Sequence, residues 1–133
     1  MSEERSLAHV ERIPIRWGDM DAMGHVNNII YFRYMEQARI SWFEKLVPGG
    51  GAWKAIGVVI VNASCNFRRA ITYPGTVEVK VYVGRPGKSS LATYYELLVD
   101  SETYADGAAV VVFIDMQTQR PKTIPDDIRA LLQ

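Results

Sequence analysis

The sequence predicts an α+β domain in which one long helix packs against a five-stranded antiparallel sheet. The first observation is a run of apolar residues at steps of three and four between about Asn28 and Leu46, the spacing of a helix that buries one face. The second is a succession of segments rich in β-branched and aromatic residues, separated by tight turns. Hairpin connections demand antiparallel pairing, and a single helix must then cover one face of the sheet.

The length and composition predict one domain over residues 1–133, with 48% hydrophobic residues to fill its core. The 15 basic and 15 acidic residues cancel, so no broad field recruits nucleic acid or a membrane surface. A lone Cys65 excludes an internal disulfide framework and favours a reducing compartment. Because the N-terminus lacks the apolar region of a signal peptide, we expect a cytoplasmic protein.

The first predicted strand covers about residues 9–17, where apolar and charged residues alternate loosely. Pro14 within it indicates an edge position or a bulge, because proline donates no ladder hydrogen bond. A polar loop over residues 18–27 leads into the long helix, whose apolar stripe is wider than a surface helix needs. We therefore expect that helix to be heavily buried, and to end at the Val47–Gly51 stretch.

Four more strands are predicted after the helix, at about residues 58–70, 77–85, 89–99 and 104–116. In the second of these, valines occupy every other position from 77 to 83, so one face should be buried and the other wetter. Pro125 followed by two aspartates predicts a short C-terminal helix.

The last hairpin turn is predicted at Asp100–Glu102, because that position gives strands of matched length. Gly107 then becomes a candidate bulge within the final strand. Residues 108–114 are apolar throughout, as expected of a strand that is covered on both faces.

The polar loop before the helix carries the candidate chemistry. It holds two acids and a histidine, Asp19, Asp21 and His25, together with Gly18 and Gly24. Backbone N–H groups in the first turn of a helix have no partner within the helix, so they can bind an anion or a carbonyl oxygen that is gaining charge. A carboxylate held beside such donors has the parts needed for attack on an acyl group.

Three stretches carry a resemblance to a known family: GDMDAMGHVNNIIYFRYMEQAR at the strand–helix junction, NFRRAITYPG, and TQRPKTIP near the end. The chain resembles the hotdog-fold acyl-CoA thioesterases of the 4-hydroxybenzoyl-CoA thioesterase family. The resemblance implies a sheet wrapped round the central helix and edge-to-edge homodimers, often paired into a homotetramer. It also implies hydrolysis of an acyl thioester to a carboxylic acid and free CoA, with no metal or redox cofactor.

Carried over by position, the family's catalytic carboxylate falls on Asp21, which acts as nucleophile or as general base. The oxyanion donor falls on the backbone N–H near Asn28. Some close members have a histidine where this chain has Asn28, and here the histidine is His25. His25 could orient water, bond the thioester carbonyl, hold Asp21 or donate to a loop carbonyl. Helix capping is the alternative role for Asp21.

Other polar residues near the loop have structural interpretations. Asp19 is expected to fix the turn through backbone hydrogen bonds. Glu36 could be a second acid of the site, but an exposed pair with Arg39, three residues on, is the favoured interpretation. Three aromatic residues of the helix are expected in the core rather than in an acyl pocket: Tyr31, Tyr34 and Trp42.

Several cations at strand ends and turns could bind the phosphates of coenzyme A, since the chain has no net positive field to attract that nucleotide. Ordinary solvated surface is the alternative. The candidates are Arg68, Arg69, Arg85 and Lys88, with the neighbouring hydroxyls of Ser89 and Ser90.

Two further functions stay open at this point. A hotdog enoyl-CoA hydratase also pairs an aspartate with a histidine beside the helix, although the G-D-x-N-P-x-x-H type of loop is absent here. A non-catalytic acyl-CoA-binding protein of the same fold is the other. The carrier of the acyl group could also be acyl carrier protein, which surface cations would contact.

Overall fold

The structure is a computed structural model that describes residues 4–47 and 56–132. The strands and α-helices in chain order are β1 (Ser6–Pro14), α1 (Asn28–Leu46), β2 (Ile56–Phe67), β3 (Thr76–Val83), β4 (Ser90–Val99), β5 (Glu102–Asp115) and α2 (Asp126–Leu131). One turn of 3₁₀ helix, Trp17–Asp19, lies between β1 and α1. The sheet has the strand order β1-β3-β4-β5-β2, with every neighbouring pair antiparallel.

Helix α1 packs across one face of the sheet and has the predicted bounds. Its apolar stripe meets the valines of β3, which alternate with half-buried residues as the sequence predicts. The expected burial is confirmed for six side chains of α1: Tyr31, Tyr34, Met35, Ala38, Trp42 and Phe43. The core therefore lies between α1 and the inner face of the sheet.

The prediction of a bulge at Gly107 is wrong. Gly107 pairs in regular register with Cys65 on one side and Tyr95 on the other. The irregularity in this hairpin lies between Leu97 and Leu98. Gly107 is instead a site of close approach, since a Cβ atom there would lie 2.6 Å from the Met35 Sδ. The missing side chain lets α1 pack closely against β5.

Strand β1 begins and ends three residues earlier than the predicted 9–17 span. Its pairing ends at Pro14, opposite Thr76, and the next residues turn into the 3₁₀ helix. Pro14 lies on an edge strand, as predicted, because β1 pairs only with β3. A register shift between Leu7 and His9 adds a bulge to the same edge.

The turn between β4 and β5 lies where the sequence predicts it. Asp100 and Ser101 have φ values of 51° and 67°, the left-handed pair of a two-residue hairpin turn. The expectation that residues 108–114 are covered on both faces is wrong within one chain. Ala109, Val111 and Phe113 are buried in the core, whereas three of the four alternating residues on the outer face are only half-buried. These three are Ala108, Val110 and Val112, and the fourth, Ile114, is buried.

Val47, the first residue of the predicted helix stop, is the C-cap of α1, and the rest of that stop, residues 48–51, lies outside the described residues. The predicted short C-terminal helix is α2, with Asp126 and Asp127 in its first turn. None of the described helices is long and apolar enough to cross a membrane.

Candidate active site

The loop between the 3₁₀ turn and α1 is a tight hairpin. Met20 and Val26 form an antiparallel bridge, and the Asp21 N–H donates to the His25 carbonyl at 2.9 Å. Gly24 has φ of 78°, and its N–H donates to the Asp21 carbonyl at 3.0 Å. A residue with a side chain rarely adopts that φ, so glycine permits the turn. The hairpin brings Asp21 and His25 to neighbouring positions.

Asp19 is the buried acid of this loop, with 3% of its surface exposed. Its Oδ2 accepts hydrogen bonds from the Tyr34 hydroxyl at 2.8 Å and from the Arg16 N–H at 3.0 Å. The Arg16 guanidinium lies 3.3 Å from the other oxygen. Asp19 thus fixes the turn, as predicted. Burial, followed by the hydrogen bond to Asp19, raises the pKa of the Tyr34 hydroxyl, which therefore stays protonated as a donor.

The segment after β2 anchors the start of the helix. The Tyr31 hydroxyl donates to the Arg69 carbonyl at 3.2 Å and accepts from the Ile71 N–H at 3.1 Å. The Val26 N–H also donates, to the Ile71 carbonyl at 2.7 Å. Burial raises the pKa of the Tyr31 hydroxyl, so it keeps the proton that this arrangement uses. Tyr31 and Tyr34 are in the core as expected, but their positioning roles were not foreseen.

The N-terminus of α1 is capped by one of the two asparagines. The Asn27 side-chain oxygen accepts from the Ile29 N–H at 3.0 Å, and the Asn27 carbonyl accepts from the Ile30 N–H at 2.8 Å. The Asn28 N–H is the first of the helix and has no acceptor within residues 4–47 and 56–132. An unpaired amide at the positive end of a 19-residue helix can donate to an oxygen that gains negative charge.

The predicted catalytic residues surround one cleft of about 330 Å³, together with two of the predicted phosphate ligands. Asp21 is exposed in this cleft, where its Oδ1 accepts from the Met23 N–H at 2.9 Å. No described residue donates to its other oxygen, so that atom is free for substrate or water. The lining residues are Asp21, Met23, His25, Val26, Asn28, Tyr31, Phe67, Arg68, Arg69 and Ala70.

Arg68 and Arg69 reach the cleft but are already paired with acids of β5. Arg68 pairs with Asp106, and this pair holds the pKa of the Asp106 carboxyl below its usual range. Arg69 pairs with Glu102 and lies over the Tyr104 ring, 4.5 Å from its centre. Exposed ion pairs contribute little to stability, so a phosphate could replace either carboxylate at small cost.

Lys88 and Ser89 do not share the cleft with Asp21 in one chain. Their turn follows Val83, which pairs with Ser6 at the start of β1, whereas the Asp21 loop follows Pro14 at its other end. Eight residues of strand separate these two ends by roughly 26 Å. Their backbone carbonyls serve the fold, since the Lys88 carbonyl accepts from the Ile124 N–H and the Ser89 carbonyl accepts from the Phe113 N–H.

The expected pair of Glu36 with Arg39 is wrong. Glu36 lies 3.4 Å from the Arg33 guanidinium instead, and both side chains are exposed. Burial raises the pKa of the Cys65 thiol to about 11, which leaves it an unreactive core residue at neutral pH. In the described part of the chain, no three His, Cys, Asp or Glu side chains lie close enough together to hold a metal ion.

Comparisons with known proteins identify the family of this chain. The model of the thioesterase-like superfamily matches residues 15–132. The chain is 27% identical to the long-chain acyl-CoA thioesterase FadM of Escherichia coli over 127 residues, which cover 92% of this chain and 95% of that protein.

Solved structures give the same picture. The PA2801 protein of Pseudomonas aeruginosa is 39% identical with a TM-score of 0.87, covering 96% of this chain and 100% of that one. A thioesterase of Thermus thermophilus in complex with coenzyme A and Zn is 29% identical with a TM-score of 0.84, covering 95% and 92%. The predicted hotdog fold and the predicted thioester hydrolase are confirmed. Since the family model spans nearly the whole chain, the protein belongs to the thioesterase-like superfamily.

Proposed function

We propose that this protein hydrolyses acyl-CoA thioesters, with Asp21 as the catalytic carboxylate and the Asn28 N–H as the oxyanion donor. The observation that carries the proposal is that a carboxylate with a free oxygen and an unpaired helix amide line the same cleft. Two relatives support the substrate class, since FadM is a long-chain acyl-CoA thioesterase and the Thermus thioesterase was solved with coenzyme A.

The reaction follows from charge development at the thioester carbonyl. As a nucleophile adds to the carbonyl carbon, its oxygen becomes negative and the Asn28 N–H stabilises that charge. In one route Asp21 adds directly and expels the CoA thiolate, and water then cleaves the mixed anhydride to the carboxylic acid and free Asp21. In the other route Asp21 takes a proton from a water that adds to the carbonyl carbon, the C–S bond breaks, and the proton passes from Asp21 to the leaving CoA thiolate. His25 lines the same cleft, and its proposed role is to orient that water, to bond the carbonyl or to hold Asp21. The proposal needs no metal or redox cofactor.

The phosphates of coenzyme A are assigned to the predicted basic residues. Arg68 and Arg69 serve from the same chain as Asp21, after exchanging their carboxylate partners for phosphate. Lys88 and Ser89 lie at the other end of the sheet, so they reach an Asp21 cleft only from another subunit. Acyl carrier protein is the other carrier that such cations could contact.

Pairing between copies through β2 would bring such residues together. Strand β2 is an edge strand of twelve residues without a charged side chain, and Val59, Ile60 and Val61 are exposed along it. A long uncharged edge favours pairing with a second copy. The half-buried outer face of β5 favours stacking of two such dimers into a homotetramer. The cytoplasmic location stays a prediction.

The test is release of free thiol from a panel of acyl-CoA thioesters by wild-type protein and by Asp21→Asn. We expect the substitution to lower kcat by about a hundredfold or more, with KM and thermal stability nearly unchanged, because it removes the negative charge and little volume. Glu44→Gln, a change of the same kind at the exposed far end of α1, is the control and should keep full activity. Near-normal turnover by Asp21→Asn would remove Asp21 from the mechanism.

A further inference from the structure

A second cavity of about 250 Å³ lies along α1, from Ile29, the residue after Asn28 of the Asp21 cleft, to Arg39. It is a mainly apolar groove between α1 and the sheet, beside the open edge of β2. The Phe32 ring on its wall meets the Phe67 ring of the cleft edge to face, with centroids 6.3 Å apart. Its apolar lining comes chiefly from Ile29, Phe32, Met35, Ile60, Ala63 and Ala109.

The groove also carries three charged residues of α1, and their charges do not cancel. Arg33 and Glu36 pair with each other at 3.4 Å, in an exposed position. Arg39, one turn further on, is half-buried and has no carboxylate partner among the described residues. The groove therefore has one excess positive charge, at the end away from the Asp21 cleft.

Hydrogen bonds fix the position of Arg39. The guanidinium Nη1 donates to the Tyr95 hydroxyl at 3.0 Å, and that hydroxyl lies 2.7 Å from Thr93 Oγ1, which donates to the Ala109 carbonyl at 2.8 Å. Since the Thr93 proton goes to Ala109, the Tyr95 proton goes to Thr93, and the Tyr95 oxygen accepts from Arg39. Tyr95 and Thr93 are 2% and 0% exposed, so water does not compete for these hydrogen bonds.

These hydrogen bonds use one N–H of the Arg39 guanidinium, and its acceptor, the Tyr95 hydroxyl, is neutral. A guanidinium has five donors in a planar fork that matches a carboxylate. A partly buried charge without a counter-charge is costly, and a ligand that supplies the counter-charge removes that cost. A ligand with a methyl end would instead cover Arg39 and leave it unpaired.

Resting on the proposed function, we propose that this groove holds the acyl chain and that Arg39 binds a carboxylate at its far end. The preferred substrate class is then the CoA monothioester of a dicarboxylic acid. Eleven positions separate Asn28 from Arg39, about 16 Å along the helix axis, which requires a long chain rather than an acetyl or benzoyl group. Arg39 is in this scheme a residue that determines specificity, and the acyl carbonyl stays at Asp21 and Asn28.

The test compares two non-hydrolysable thioethers, S-alkyl-CoA and S-(ω-carboxyalkyl)-CoA of equal chain length, by isothermal titration calorimetry. We expect wild-type protein to bind the carboxylate-ended ligand at least about tenfold more tightly, the effect of one charge-assisted hydrogen-bonded pair. Arg39→Met, which keeps an apolar stem, should abolish the difference. Arg12→Met, at an exposed arginine on the β1 edge, is the matched control and should preserve it.

Equal binding of both ligands by wild-type protein would overturn the proposal, and so would a preference that survives in Arg39→Met. If Arg39→Met does not fold, Arg39→Lys replaces it and should reduce the preference, because an ammonium group lacks the fork. Sedimentation of each variant identifies the competing role: dissociation of an oligomer with the preference intact would assign Arg39 to a contact between copies. Because thioethers are not cleaved, the preference for the carboxylate-ended ligand is measured independently of turnover. Failure of the proposed function would appear separately, as absent thiol release from the corresponding thioesters.

Discussion

The two aspartates of the active-site loop are two residues apart and have opposite surroundings. Asp19 is buried, and three donors from Arg16 and Tyr34 surround its carboxylate. Asp21 is exposed, and one backbone N–H, from Met23, contacts it. A carboxylate whose lone pairs are occupied by the protein can hold a loop in place, but it has little capacity left for substrate. The difference teaches that the neighbour with an unoccupied oxygen is the one available for chemistry.

The largest expected difference between the two aspartates is the loss of unfolding free energy when each carboxylate is removed in turn. Asp19→Ala leaves the buried Tyr34 hydroxyl and the Arg16 N–H without their acceptor, so we expect a loss of about 3 kcal/mol in the free energy of unfolding. Asp21→Ala removes one hydrogen bond at the surface and should cost under about 1 kcal/mol. Urea unfolding at neutral pH measures both, and equal losses would show that the two acids do not differ in this way.

A smaller loss of unfolding free energy is expected when Tyr34, the donor to the buried Asp19, loses its hydroxyl. Tyr34→Phe keeps the ring in the core and removes the hydroxyl that donates to Asp19 at 2.8 Å. Asp19 keeps its bonds from Arg16, so we expect a loss of about 1 kcal/mol in the same unfolding measurement. A loss as large as that of Asp19→Ala would mean that Tyr34, rather than the turn, accounts for the stability at this site.

The smallest expected effect is a change in the free energy of unfolding with pH in the alkaline range. The pKa of Tyr34 is raised in the folded chain by burial and by Asp19, so above its ordinary value of 10 the unfolded chain releases this proton and the folded chain keeps it. The contribution is complete below pH 10 and is lost as the pH rises beyond it. The free energy of unfolding should therefore fall more steeply between about pH 10 and 11 in the wild type than in Tyr34→Phe. Parallel slopes would contradict the buried, protonated state of Tyr34.

Elements with a strong local pattern could be predicted from the sequence. The bounds of α1 are correct because its apolar period is continuous and proline follows it. The predicted first strand ends three residues too late because Trp17 begins a 3₁₀ turn instead of continuing the strand. That turn depends on Asp19 accepting from Arg16, a side-chain interaction that hydrophobic alternation does not reveal.

The candidate site divides in the same way. Asp21, His25 and Asn28 could be predicted together because they are close in the chain, and one short loop must bring them near each other. The network of Arg39 and Tyr95 could not, since 56 residues separate the partners and only the packing of α1 on β4 makes them meet. The error at Gly107 has the same origin, because its role depends on a methionine of the helix.

The uncharged edge of β2 leaves a row of backbone donors and acceptors open to strand addition. No described strand pairs with its outer side, and no lysine, glutamate or proline along its twelve residues discourages a wrong partner. A newly made chain therefore presents a template for strand addition, and the proposed pairing of two copies through β2 would cover it. Refolding yield should consequently peak at an intermediate protein concentration, where correct encounters are frequent and disordered clustering is still slow.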